Sequence, residues 1–170
     1  MKKVSKDEYY LSLAQNIGSR SKCFRIKLGV IIIKDDQIVA TGYVGAPRKT
    51  KDCLERNNCL RNEKNIPHGQ SYDICRSVHG EQNAIINAAR AGVSILGGKM
   101  YISATDGEGN KINSFPCYIC KRMIINAGLK KVICSNAKGG IKIFSVDNWI
   151  KDWQIYDIVD DKYQYGVERN

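Results

Sequence analysis

The chain has 170 residues, 43% of them hydrophobic and 26% charged, with 27 basic residues against 17 acidic ones and a formal net charge of +10. This composition argues against a disordered polar chain and suits one domain over 1–170 with a real core. The absence of a long apolar run argues against a membrane partner, and an odd count of seven cysteines argues against a disulfide scaffold and for a reduced, cytoplasmic protein. The positive charge points to an anionic partner, either a nucleotide phosphate or nucleic acid.

In chain order, Ser5 to Ile17 carries apolar residues at helical spacing and reads as an opening helix ending near Gly18. The continuous apolar run Leu28–Ile33 reads as a buried strand. A turn at Lys34–Gln37 then returns the chain as a second strand, Ile38–Tyr43. Residues 44–78 are long and polar, and a structureless loop of that length needs an explanation. The segment Glu81–Ala91, rich in Ala and Ile and stopped by Gly92, reads as a largely buried helix. Met100–Ala104 is the next strand, and Pro116 is set at the first position of a helix that runs to Gly128. Lys131–Ser135 is a further strand, Lys138-Gly139-Gly140 a flexible joint, and Ser145 the cap of a short helix containing Trp149 and Trp153. Ile155–Val159 reads as a last strand, and the polar tail from Asp160 to Asn170 is expected to fray. This order predicts an α/β fold with helices on both faces of one mixed sheet of about five strands.

Two clusters carry the chemistry: His79-Gly80-Glu81 and Pro116-Cys117-Tyr118-Ile119-Cys120. Together they read H-x-E … P-C-x-x-C, the signature of zinc-dependent base deaminases. A catalytic zinc keeps three protein ligands and one open position. His79, Cys117 and Cys120 supply the ligands, and Glu81, unligated, is expected to carry protons as the catalytic acid and base. Cys117 and Cys120, three apart at a helix start, share a face, and the helix dipole there favours the thiolate that binds metal.

Of the other cysteines, Cys134 lies in an apolar strand and reads as core. Cys23, Cys53, Cys59 and Cys75 flank or lie within the long polar segment. Four thiolates can close a second, structural zinc site that pins such a loop. His68 is an alternative to one of them, and four unrelated thiols are the plain alternative.

From about Ser21 to Cys134 the chain resembles the deoxycytidylate (dCMP) deaminase family of the cytidine-deaminase-like superfamily. The residues that carry the resemblance are Ser21-Lys22-Cys23, Gly29–Ile32, Thr41-Gly42-Tyr43, Pro47-Arg48, His79–Ile86, Pro116-Cys117 through Cys120, and Met123–Gly128. The resemblance implies a three-layer α/β/α sandwich, a catalytic zinc, a homo-oligomer, and hydrolysis of dCMP to dUMP with release of ammonia. Bacterial members carry four extra cysteines in the places of Cys23, Cys53, Cys59 and Cys75, which favours cysteine over His68 for the second zinc. Three departures stand out: Val44 where the family has an Asn that helps hold the sugar, Gly80 where Ala is usual, and an extra loop over 105–115. That loop is expected to act as a flap or a subunit contact, or to be a passive insertion. Arg48 and Lys49, just after Val44 near the expected pocket, are candidates for meeting a substrate phosphate. Two other functions fit the same motifs: deamination of another aminated base, nucleoside or tRNA base, and a non-catalytic, zinc-stabilised binding protein.

Overall fold

Ser5 starts the first helix: its Oγ accepts from the Glu8 N–H at 3.2 Å while its own N–H donates to Glu8 Oε2 at 2.8 Å, a reciprocal cap that satisfies two otherwise orphaned donors. The structure, a computed structural model, describes residues 3–67 and 69–161. Helix α1 (Lys6–Gly18) is followed by strands β1 (Ile26–Lys34) and β2 (Gln37–Tyr43), which form a hairpin. Asp35 and Asp36 make its two-residue turn, both at positive φ, the conformation that matches the twist of paired strands. Next come a short helix α2 (Leu60–Glu63), α3 (Gly80–Arg90), β3 (Lys99–Asp106), α4 (Tyr118–Asn126), β4 (Lys131–Ser135), β5 (Ile141–Ser145) and α5 (Val146–Ile155). Among the described residues no helix is long and apolar enough to cross a membrane.

The five strands form one mixed sheet in the order β2-β1-β3-β4-β5. β3 and β4 are parallel, and the other neighbours are antiparallel. Strand alternation divides the core into two faces. Ile31, Ile33, Tyr101 and Ile133 pack against Tyr10, Leu11 and Ala14 of α1. Val30, Ile32, Met100, Ile102 and Val132 point the other way, toward Ala84 and Ala88 of α3, Ile124 of α4 and Trp149 of α5. The result is the three-layer sandwich that the sequence predicts.

Glycines set the closest approaches. A β-carbon on Gly29 would lie 2.0 Å from Ala14 O, and one on Gly42 would lie 2.4 Å from Gly80 O. Only glycine therefore lets α1 and α3 come so near the sheet. Gly80, the departure from Ala, has Leu28 Cδ2 only 2.5 Å from where its β-carbon would be.

Four expectations are corrected. Pro116 is not in the helix: Cys117, at φ −72° and ψ 171°, is the extended N-cap residue and α4 begins at Tyr118. Lys138-Gly139-Gly140 is not a loose joint but part of a tight turn. There the Asn136 Oδ1 accepts from Lys138 N at 3.0 Å and Gly140 N at 2.8 Å. That turn delivers β5, which pairs with β4 and takes the place of the strand expected at Ile155–Val159. The latter residues instead end α5 and enter a single 3₁₀ turn, Ile158–Asp160. Finally, the start of the tail is held rather than frayed: Asp161 pairs with Lys121. Residues 162–170 lie outside the described residues.

Candidate active site

The long segment 44–78 is closed at its base. Gly45 and Val78 form an isolated bridge, with Gly45 N to Val78 O at 3.2 Å and Val78 N to Gly45 O at 2.9 Å. The segment therefore leaves the end of β2 and returns beside His79. Helix α3 is fastened to β2 by two asparagines, Asn83 Nδ2 to Tyr43 O at 2.8 Å and Asn87 Nδ2 to Thr41 O at 2.7 Å. His79 is the N-cap residue of α3 and donates its N–H to Gln82 Oε1 at 3.0 Å. The N-termini of α3 and α4 thus present His79 and Glu81 on one side and Cys117 and Cys120 on the other.

His79 Nδ1 lies 3.5 Å from Cys117 Sγ and 3.3 Å from Cys120 Sγ. Zn–S and Zn–N bonds of about 2.3 and 2.0–2.1 Å at tetrahedral angles give an N···S edge of about 3.5 Å. The trio therefore fits zinc, and His79, Cys117 and Cys120 could hold it. Among the described residues these are the one set of three or more ligating groups within 4.8 Å of one another. Glu81 stands outside it, buried at 3% exposure.

Electrostatics follow from burial and the close sulfurs. Cys117 is held down to about 4, chiefly by the hydrogen bond from the Cys120 thiol, which outweighs desolvation, and also by His79. Cys120 is correspondingly pushed well up. Holding a metal requires both to be thiolates. Burial works against a charged His79 ring, but Cys117 and Glu81 outweigh it and the net direction is up. Glu81 is raised by desolvation, with the Cys117 charge adding to it. Tyr72 places its ring edge-on to His79, centroids 4.8 Å apart, and burial pushes its phenol up to about 12.

These groups face a cavity of about 500 Å³, with His79, Glu81, Cys117 and Val44 in its wall. Arg48 and Lys49 are not in that wall. Arg48 Nη2 instead donates to Asn87 Oδ1 at 2.6 Å on the exposed side of α3. The cations in the wall are Arg25 and Arg61, which sequence reasoning missed. Arg61 is 5% exposed, donates from Nη2 to Pro67 O at 2.8 Å and Gln70 O at 2.7 Å, and lies over the Tyr72 ring. Arg25 Nη1 donates to Ile66 O at 3.1 Å. Arg25 lies two residues past Cys23; Arg61 is one of six cations in the dense basic stretch from Arg48 to Lys64, and nothing local sets it apart from the others.

Cys23, Cys53, Cys59 and Cys75 all line the same cavity. Their sulfurs do not form a second set at metal-ligand spacing among the described residues. Burial, then Cys23 and Cys59 nearby, push the Cys53 thiol up against the pull of Arg76. His68 lies outside the described residues.

The family described as the cytidine and deoxycytidylate deaminase zinc-binding region matches residues 4–136. The chain is 30% identical over 132 residues to a deoxycytidylate deaminase of Mycobacterium phage D29, covering 75% of this chain and 91% of that protein. It is 30% identical over 127 residues to the deoxycytidylate deaminase of Schizosaccharomyces pombe, covering 75% of this chain but spanning only 36% of the yeast protein. The dCMP deaminase of cyanophage S-TIM5, solved in complex with dCMP and dUMP, superposes with a TM-score of 0.55. It is 27% identical over 78% of this chain and 82% of that one.

Proposed function

The chain belongs to the cytidine and deoxycytidylate deaminase zinc-binding family, and on that premise we propose that it hydrolyses dCMP to dUMP and ammonia. The observation that carries the reading is the convergence of His79, Cys117 and Cys120, with an unligated, buried Glu81 beside them in one cavity. Zinc, when bound, lowers the pKa of water so that hydroxide is available near neutral pH. Glu81 takes the first proton that water gives up and delivers it to the ring nitrogen, where it stays; it then carries the second, from the hydroxyl newly added to the ring carbon, to the amine, which leaves as ammonia. Burial raises the carboxyl by desolvation. Balance is kept: one water enters, one ammonia leaves, and no oxidant or reductant is needed.

Nucleotide rather than nucleoside is supported by Arg25 and Arg61 in the cavity wall, where cations can meet a phosphate. The phage relatives named for dCMP support the same choice. Val44, 7% exposed in the wall, offers no acceptor, and the proton of a buried hydroxyl facing it goes unpaired at a cost of about 1–3 kcal/mol. The test is ammonia release from dCMP, CMP, deoxycytidine, cytosine, guanine and a tRNA. The expected result is turnover of dCMP above the others, with Val44→Asn raising kcat/KM. Turnover of tRNA or of a free base with none of dCMP would reject the substrate while leaving the metal site standing.

The reading also assigns a second, structural zinc to Cys23, Cys53, Cys59 and Cys75. Its support is that all four line one cavity, within or beside the polar 44–78 segment that such a site would pin. Metal analysis of the purified chain is expected to give about two zincs per chain, and one zinc with these four thiols freely reactive would reject the assignment. A homo-oligomer in the cytoplasm completes the reading. On the α1 face of the sheet, Ile141 and Ile143 of β5 are 38% and 52% exposed, apolar surface that a second copy would cover.

A further inference from the structure

From the 105–115 segment, Asp106 and residues 112–115 line the cavity. Asp106 Oδ1 accepts from Glu108 N and Asn110 N, both at 2.9 Å, and closes the turn. Ser114 is 1% exposed, with its N–H donated to Ser135 O at 3.1 Å and its Oγ 2.8 Å from Ile102 O. The segment is thereby tied to the middle of β3 and the end of β4.

Asn113, half-buried, lines the cavity from this wall. Its side-chain oxygen accepts from the Ala137 N–H at 3.0 Å. A backbone N–H can only donate, so this bond sets the orientation of the amide: the oxygen faces Ala137 and the Nδ2 group faces away. Nδ2 has no partner among the described residues. A half-buried amide donor in the wall of a binding cavity is a ready contact for an oxygen of the ligand.

Position in the cavity selects which oxygen. The amine-bearing ring must go deep, to Glu81. Arg25 immediately precedes β1, and Asn113 lies past the carboxyl end of β3; Ile26 and Asp106 pair at that same edge of the sheet. Arg25 and Asn113 are both half-buried, so they meet the outer part of the ligand, its sugar and phosphate. With its 5′ oxygen esterified, a deoxyribose keeps one hydroxyl, at 3′.

We propose that Asn113 donates from Nδ2 to the 3′ oxygen of the nucleotide's sugar and so sets the site's preference for an intact deoxyribose. The proposal rests on the nucleotide reading above. The test is calorimetric titration of the zinc-loaded chain with dUMP and with 2′,3′-dideoxyuridine 5′-monophosphate, a binding measurement that needs no turnover. The parent is expected to bind dUMP about tenfold more tightly than the dideoxy compound, the size of one hydrogen bond. In Asn113→Ala and Asn113→Leu that ratio should fall to within about twofold of one. Ala137 is exposed, so water can take its freed N–H and both variants should fold and keep their zinc. A preference that survives in either folded variant, or is absent from the parent, overturns the proposal alone. A parent that binds neither nucleotide overturns the nucleotide reading with it.

Discussion

Glu81→Ala should retain its zinc and lose turnover by about 100- to 10,000-fold, the range for removing a positioned acid and base. The metal should stay because Glu81 lies outside the group of ligating atoms formed by His79, Cys117 and Cys120. Metal analysis and ammonia release, made on the same preparation, separate the two effects. Cys117→Ala is the contrasting variant and should lose both zinc and turnover, because three ligands become two. A Glu81→Ala enzyme within tenfold of the parent would reject the proton-carrying role. A Glu81→Ala protein that had lost its zinc would mean that the carboxylate is itself needed to hold the metal.

Asp161→Asn should destabilise the fold by about 3–5 kcal/mol, the usual consequence of stripping the partner from a buried charge. Lys121 follows Cys120 directly, and its side chain is 0% exposed. Its ammonium pairs with Asp161 and lies 5.2 Å from the centre of the Trp149 ring and 5.9 Å from that of Tyr118. Burial pushes this lysine down, and Asp161 counters that without cancelling it. The pair ties the segment after α5 to the helix that carries both cysteine ligands. Lys121→Met together with Asp161→Asn removes both charges and leaves an apolar side chain against the two rings, so the double variant should recover most of the loss. Denaturant unfolding of the three proteins measures this. Parent-like stability in Asp161→Asn alone would show that the ion pair contributes nothing.

The elements most legible in the sequence are those whose signal is local. Leu28–Ile33 reads as a buried strand because every residue of it is buried, on one face or the other of a covered sheet. The ends of α3 and α4 read correctly as glycine stops because Gly92 and Gly128, at φ +66° and +69°, take the left-handed conformation that closes a helix. His79, Cys117 and Cys120 are legible for the same reason: each sits in the first turn or at the cap of its own helix, so short spacing fixes its direction.

What only the tertiary structure decided depends on partners far along the chain. β5 is five residues with an exposed outer face, and its strand character comes from pairing with β4 across the Asn136–Gly140 turn; locally, Ile155–Val159 looked no less strand-like. Lys121 would be read as a surface residue, since nothing within its helix predicts a partner forty residues later. The cations of the cavity are Arg25 and Arg61 rather than Arg48 and Lys49: Arg25 stands just before β1, and the Gly45–Val78 bridge folds the 44–78 segment, with Arg61, back over the site. That bridge joins residues 33 apart, and which side chains such a closed loop turns inward is set by packing, on which local spacing is silent.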